Sequence, residues 1–261
     1  MQRRLTIIGS GSMAGAIIRG VAGRYPVEVV AREGERLEKL CRNYGGEITV
    51  TTLQEGLDIA GKRIIMAVKP YAFDAVAKML KGRAEAHLSV MAGVPLEHLK
   101  SRLDAAYTVR AMPNLAAKYG KSMTTLCGDE GFREAALQIC NAFGEALWLG
   151  SEKEIDIATA IAGSGPAYLA LIAEALADGG VKAGLKREDA QKITQGLFTG
   201  MGDLLQMHPA LLKDAVMSPG GTTAAGYGAL EAGAVRKSFI EAVEAAFDQA
   251  KKVGGGKTAE K

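Results

Sequence analysis

The run from Arg4 to Ala14 constrains this chain more than any other part of it. Leu5-Thr6-Ile7-Ile8 is apolar enough for a buried strand, and Arg4 to Ile8 is assigned as one. Gly9-Ser10-Gly11-Ser12-Met13-Ala14 follows at once, and Met13 to Ala22 carries a helical pattern. A GxGxxA turn between a strand and a helix is the fingerprint of a dinucleotide-binding Rossmann unit, and each position has a mechanical reason. Gly9 permits the tight turn. Gly11 lacks a Cβ and lets a pyrophosphate approach the backbone. Ala14 lets helix pack on strand, and the free N–H groups of Gly11, Ser12 and Met13 face the phosphates.

Strand and helix patterns go on alternating through the first half. Strands are expected at Val27 to Ala31, Glu47 to Val50, Arg63 to Val68, His87 to Met91 and Tyr107 to Met112. Helices are expected at Glu35 to Tyr44, Tyr71 to Leu80 and Pro95 to Leu103, with a last strand and helix between Ser122 and Leu149. This alternation predicts an α/β fold, a doubly wound parallel sheet covered on both faces. From Glu152 onward no strand pattern remains. Leu169, Ile172 and Leu176, then Ile193, Leu197, Met201 and Leu204, recur at helical spacing. Pro166 suits a first helical position, and Gly179-Gly180 and Gly184 punctuate that helix's end. A final helix is expected from Val235 to Val253. The expected organisation is a Rossmann domain over 1–150, an all-α domain over 151–253 and a flexible Gly- and Lys-rich tail over 254–261.

Composition narrows the class. A net charge of +3 on 261 residues, with no basic run interleaved with aromatics, gives no footprint for nucleic acid. Cys41, Cys127 and Cys140 form no CxxC, so neither a disulfide framework nor a metal site is expected; buried thiols and a cytoplasmic location are. Ile157 to Ala173 carries no charge, but Gly163-Ser164-Gly165-Pro166 interrupts it, so no membrane span is expected.

The end of the second strand discriminates between dinucleotides. An NAD site usually offers Asp or Glu there for the ribose; this strand ends in Ala31-Arg32, and a guanidinium fork suits the 2′-phosphate of NADP. Glu33, next in line, could serve a ribose hydroxyl, so NAD stays as a second cofactor. Ligands in such sheets bind at the carboxyl ends of strands. That adds Ala67, Val68, Lys69 and Pro70 after the fourth strand, Ala92 after the fifth and Asn114 after the sixth. Lys69 reads equally well as a phosphate or substrate contact and as a solvated lysine.

These residues, with others, resemble the pyrroline-5-carboxylate reductase family over about Leu5 to Val253. The resemblance is carried by Gly9 to Met13, Ala67-Val68-Lys69-Pro70, Ala92-Gly93-Val94 and Val109 to Asn114. In the second half it is carried by Gly163 to Tyr168, Glu174 to Val181, His208-Pro209 and Ser218-Pro219-Gly220-Gly221-Thr222-Thr223, followed by Gly226 and Ala229-Leu230-Glu231. It implies reduction of 1-pyrroline-5-carboxylate, a small cyclic imino acid, to L-proline, the last step of proline biosynthesis. It also implies a Rossmann domain with a helical domain that intertwines as a homodimer, and dimers that can join into a ring. Each site would be completed by the partner's Ser218-to-Thr223 loop. By the same resemblance Thr223 is the hydroxyl beside the ring nitrogen. Ser218, Gly220, Gly221 and Thr222 would hold the substrate carboxylate, the glycines letting N–H groups converge on an anion.

The competing reading of that loop is a plain turn in which a Thr caps the following helix. Leu115-Ala116 departs from the family's usual Thr-Pro. Glu152 and Gln206 sit where some members place polar groups near the site; here both are expected as solvated side chains. His87, His98 and His208 are expected to be structural or exposed. Two other readings share this architecture: a β-hydroxyacid dehydrogenase, which would need a helical-domain lysine as acid or base, and a non-catalytic NADP-binding module.

Overall fold

The computed structural model describes residues 3–32 and 44–254. Residues 35–43 of the expected Glu35-to-Tyr44 helix, together with Glu33, Cys41 and residues 255–261 of the tail, lie outside them. The chain forms two compact units. One runs to Gly163 and takes back the chain from Ala246; the other is Ser164–Ala245.

The first unit opens with β1 (Leu5–Ile8), α1 (Ser12–Val21), β2 (Val27–Ala31) and β3 (Ile48–Thr52). After a short β4 (Leu57–Asp58) come β5 (Arg63–Met66), α2 (Phe73–Lys78), a short β6 (Leu80–Lys81) and β7 (Ala84–Ser89). Then follow α3 (Leu96–Arg102), β8 (Ala105–Met112), β9 (Ser122–Gly128), α4 (Arg133–Cys140), β10 (Gly144–Trp148) and α5 (Glu152–Ala158). The eight-stranded sheet has the order β10-β9-β8-β7-β5-β1-β2-β3. The chain builds outward from β1 through β2 to β3, then returns to lay β5 on β1's other side. The gap between β1 and β5 is therefore the topological switch point, where such sheets hold their ligand.

Strand alternation explains why both faces are covered. Leu5 and Ile7 of β1, with Val27 and Val29 of β2, join Ile17, Ile18 and Val21 of α1 in one core. Ile8 and Val30, one residue out of phase, join Ile64, Met66, Phe73 and Leu99 in a second core. Thr6 and Glu28 share that second face. Glu28 is buried, yet it accepts from Thr6 Oγ1 at 2.9 Å, Thr51 Oγ1 at 3.0 Å and Lys62 Nζ at 2.8 Å.

The strands depart from the sequence reading in three places. The sheet is not wholly parallel: β9 pairs antiparallel with β8, and β10 pairs parallel with β9. β10 is itself an unexpected strand, because Gly144 to Trp148 is an outer strand whose Glu145 and Leu147 are exposed, so it lacks the apolar density of a central one. The small pair β4–β6 was also unforeseen.

Past α5 the backbone widens into a π-helical turn over Thr159–Gly163 and then starts α6 (Gly165–Lys182), with Pro166 in its first positions. Gly163 to Pro166 thus distorts the helical run without ending it, and α6 continues through Gly179-Gly180 to Lys182. The compact units part at Gly163, beyond the change of pattern at Gly150, because α5 is bound into the first unit by Arg110. The remaining helices are α7 (Arg187–Leu204), α8 (Pro209–Val216), α9 (Thr222–Ala232) and α10 (Val235–Gly254). α6 packs on α7, where Gly180 brings Leu185 and Ala190 close.

Candidate functional site

The expected cofactor residues gather at the carboxyl edge of the sheet. Gly9 follows β1 with φ of +132° and donates its N–H to Val30 O at 2.9 Å. A Cβ there would stand 2.5 Å from Ala67 O, so the position requires glycine on two counts. Ala67 and Val68 thereby wall the turn, Ala67 buried and Val68 half-buried, while Lys69 and Pro70 are exposed beyond them. Ser10, Gly11 and Ser12 are exposed, Ala14 is fully buried and Met13 half-buried.

Gly11 is the N-cap of α1, with no side chain capping the helix and open space where a Cβ would be. The first-turn N–H groups are therefore unpaired by the helix and reachable, which is what a pyrophosphate needs. Arg32 is exposed immediately after β2. Ala92 is exposed after β7. A dinucleotide fits this edge: the turn is open, the helix end is uncapped, and a cation is exposed at the end of β2.

Asn114, expected at the cofactor edge after β8, has its side chain bonded within the protein. Its carboxamide oxygen accepts from Ala116 N at 3.1 Å, capping the 3₁₀ turn Leu115–Tyr119, and its Nδ2 donates to Ala162 O at 3.0 Å. Its own N–H donates to Ser122 Oγ at 3.1 Å.

Sequence reasoning missed Arg110. It lies in β8 with its side chain 7% exposed, donating to Glu152 Oε1 at 2.7 Å and Asp156 Oδ1 at 3.0 Å. Glu152 Oε1 also accepts from Leu96 N at 2.8 Å. Glu152 is thus half-buried and bonded, not solvated; the readable signal was one arginine in an apolar strand and two carboxylates four apart on a helix. Cys127 pairs with Arg110 across β8 and β9. Burial pushes its thiol up to about 11, which leaves it inert at neutral pH. Cys140 is also buried and free.

Ser218-Pro219-Gly220-Gly221-Thr222-Thr223 belongs to the second unit, between α8 and α9. All but Gly221 are exposed. Gly221 N donates to Ser218 O at 3.0 Å, closing a tight turn in which Gly220 takes φ of +71°. The N-cap of α9 is Gly221, with no side-chain cap. This corrects the capping alternative: Thr222 and Thr223 lie inside the first turn, and neither hydroxyl is bonded within the described residues. The result is an exposed turn offering unpaired N–H groups and hydroxyls together, the donor set a carboxylate and a ring nitrogen would use.

His98 Nε2 meets Asp74 Oδ1 at 2.7 Å, and His208 caps α8 through Nδ1 at 3.3 Å from Ala210 N. His87 is buried against Phe73. Gln206 is exposed. Among the described residues no three His, Cys, Asp or Glu side chains cluster as a metal site.

Comparison with known proteins adds the family. Residues 152–253 match the model for pyrroline-5-carboxylate reductase dimerisation, and residues 4–93 match that for NADP oxidoreductase, coenzyme F420-dependent. The pyrroline-5-carboxylate reductase of Thermus thermophilus is 40% identical, over 96% of this chain and 98% of that protein. The Synechocystis enzyme is 38% identical, over 97% and 99%. A solved pyrroline-5-carboxylate reductase from Coxiella burnetii superposes with a TM-score of 0.82 at 29% identity, covering 95% of this chain and 97% of that one. The chain belongs to the pyrroline-5-carboxylate reductase family.

Proposed function

We propose that this chain reduces 1-pyrroline-5-carboxylate to L-proline in the cytoplasm, with NADPH as the preferred donor and NADH as a second one. One observation carries the reading: a single chain joins an open, uncapped Gly9-to-Ala14 turn to an exposed Ser218-to-Thr223 turn in a segment matching the dimerisation model. A solved Plasmodium falciparum pyrroline carboxylate reductase with NADP bound, 26% identical with a TM-score of 0.74, supports the choice of donor.

On the turn that Gly9 permits, Gly11, Ser12 and Met13 hold the pyrophosphate at the N-terminus of α1, Arg32 pairs with the 2′-phosphate, and the exposed Lys69, Pro70 and Ala92 flank the remainder. Bound NADPH supplies the hydride. The chain's own task is to orient the imine carbon, grip the carboxylate and manage one proton. Ser218 and the N–H groups of Gly220 and Thr222 take the carboxylate, on the turn that Gly221 N–H closes. Thr223 places its hydroxyl at the ring nitrogen; a cyclic imine is basic enough that a hydroxyl relay suffices where a weaker base would need a strong acid. The working form is a homodimer in which the partner's turn completes each site, with a ring of dimers as the larger assembly.

NADPH oxidation measured with synthetic pyrroline-5-carboxylate, and repeated with NADH, tests this. Thr223→Ala lowers kcat by about two orders of magnitude, the ordinary worth of a positioned proton relay, while NADPH binding stays intact. Unchanged turnover removes Thr223 from the mechanism. Cofactor binding without oxidation by any imine favours a non-catalytic binding module.

A further inference from the structure

We infer that Asn114 is a positioning residue: its carboxamide latches the loop after β8 to the π-helical turn Thr159–Gly163. The inference rests on the reductase reading above for its effect on turnover.

The need for a latch begins with Pro166. In an α-helix the N–H of residue 166 would bond the carbonyl of residue 162, and proline has no N–H. The next amide does not substitute, because Ala167 N donates to Ser164 O at 3.0 Å. The Ala162 carbonyl, on a half-buried residue, is left for a donor from elsewhere, and Asn114 Nδ2 is that donor at 3.0 Å. The carboxamide's orientation follows from its two partners: Ala116 N–H needs the oxygen, and the Ala162 carbonyl needs the nitrogen. The loop is anchored further where Asn114 N meets Ser122 Oγ, which bonds Thr124 Oγ1 at 2.9 Å.

A second grip lies four residues earlier, within β8 itself. Arg110 holds Glu152 and Asp156, on the helix that runs into the π turn. The carboxyl end of β8 therefore grasps this helical segment at two points. The loop it carries faces the cofactor edge of the sheet, so loosening it degrades the alignment of hydride donor and acceptor without removing a group that binds either.

The experiment is a double-mutant cycle between Asn114→Asp and Pro166→Ala, read on turnover, NADPH dissociation constant and unfolding midpoint. Asn114→Asp keeps the oxygen that caps Ala116 but loses the donor to Ala162. Pro166→Ala supplies the missing N–H. The expected result is about a tenfold fall in kcat for Asn114→Asp, with NADPH affinity within about twofold of the parent, and recovery of most of that loss in the Pro166→Ala background. An equal loss in both backgrounds overturns the latch. A rise in the NADPH dissociation constant in step with the loss makes Asn114 a cofactor contact instead. Coupling seen in the unfolding midpoint but not in kcat overturns the role in the reaction. If the parent shows no turnover, the reductase reading fails by itself, while the bond to Ala162 stands or falls on the midpoint.

Discussion

His87 sits in the middle of β7 with no solvent exposure, and neither ring nitrogen has a hydrogen-bond partner among the described residues. Phe73 stacks on the ring with centroids 5.9 Å apart. Burying each of these polar atoms unpaired costs about 1–3 kcal/mol. Burial also disfavours the charged ring, lowering its pKa from 6.5 to about 4. Above the unfolded value both states are neutral, and His87 makes stability no more pH-dependent. As pH falls from 6.5 toward 4 the unfolded chain takes up a proton that the folded chain refuses, so stability drops by up to about 3 kcal/mol. Glu28 acts on the same side. Burial raises its pKa, but the hydrogen bonds from Lys62, Thr6 and Thr51 outweigh that and leave it lowered; its contribution is present above the usual carboxylate range and fades in acid. Urea unfolding at pH 7 and pH 5, at one protein concentration, should show a loss of about 2 kcal/mol from His87 alone. His87→Leu should be about 1 kcal/mol more stable at pH 7 and should lose most of that dependence. An unchanged pH slope in the variant would assign the acid sensitivity to other groups.

At the scale of elements, the turn between β1 and α1 separates two kinds of glycine that a sequence motif writes with one letter. Gly9 is fixed by the fold: its φ is positive and β5's continuation occupies the place of a Cβ. Gly11 has ordinary φ and open space, so only a ligand needs it small. Gly9→Ala should therefore destabilise the first unit by about 2 kcal/mol or more, from strain and the clash with Ala67 O. Gly11→Ala should leave the unfolding midpoint within about a degree and raise the NADPH dissociation constant at least about tenfold, because the methyl stands where the pyrophosphate must approach. A Gly11→Ala protein that binds NADPH as before would place the phosphates elsewhere. The same turn shows why much of the molecule was legible. Strands buried on both faces, such as β1 and β2, are apolar at all positions but Thr6 and Glu28, and the GxGxxA turn states its own geometry. What was not legible depends on partners far apart in the chain. Arg110 looks like any strand residue until Glu152 and Asp156 meet it, and the bond from Asn114 to the Ala162 carbonyl joins positions 48 residues apart. β10 was hidden because an outer strand exposed at Glu145 and Leu147 lacks the continuous apolar signal of the strands it extends.

At the scale of the whole molecule, the helical unit lacks a core of its own. Within α6 and α7 only Ala177, Ala190 and Thr194 are buried, and α8 and α9 bury no residue at all. Large apolar side chains face outward instead: Leu171 is 64% exposed, Ile193 60% and Leu197 53%, with Leu211 and Leu230 alongside. By length and composition the stretch Glu152–Lys182 would even pass for a membrane span. Helices this apolar and this uncovered are not stable alone in water, since packing of an apolar face supplies most helical stability in proteins. The match of residues 152–253 to a dimerisation model points to oligomerisation as the cover for these helices. Folding and assembly are then one equilibrium, and the unfolding midpoint must rise with protein concentration. Leu197→Glu should break that assembly by placing a charge in an apolar contact, shifting sedimentation toward the monomer and lowering helical ellipticity. Gly9 to Ala14 is far from this change in the chain, so the variant should still bind NADPH through the first unit while losing turnover. A Leu197→Glu protein that sediments and turns over like the parent would show that this face of α7 is not part of the contact.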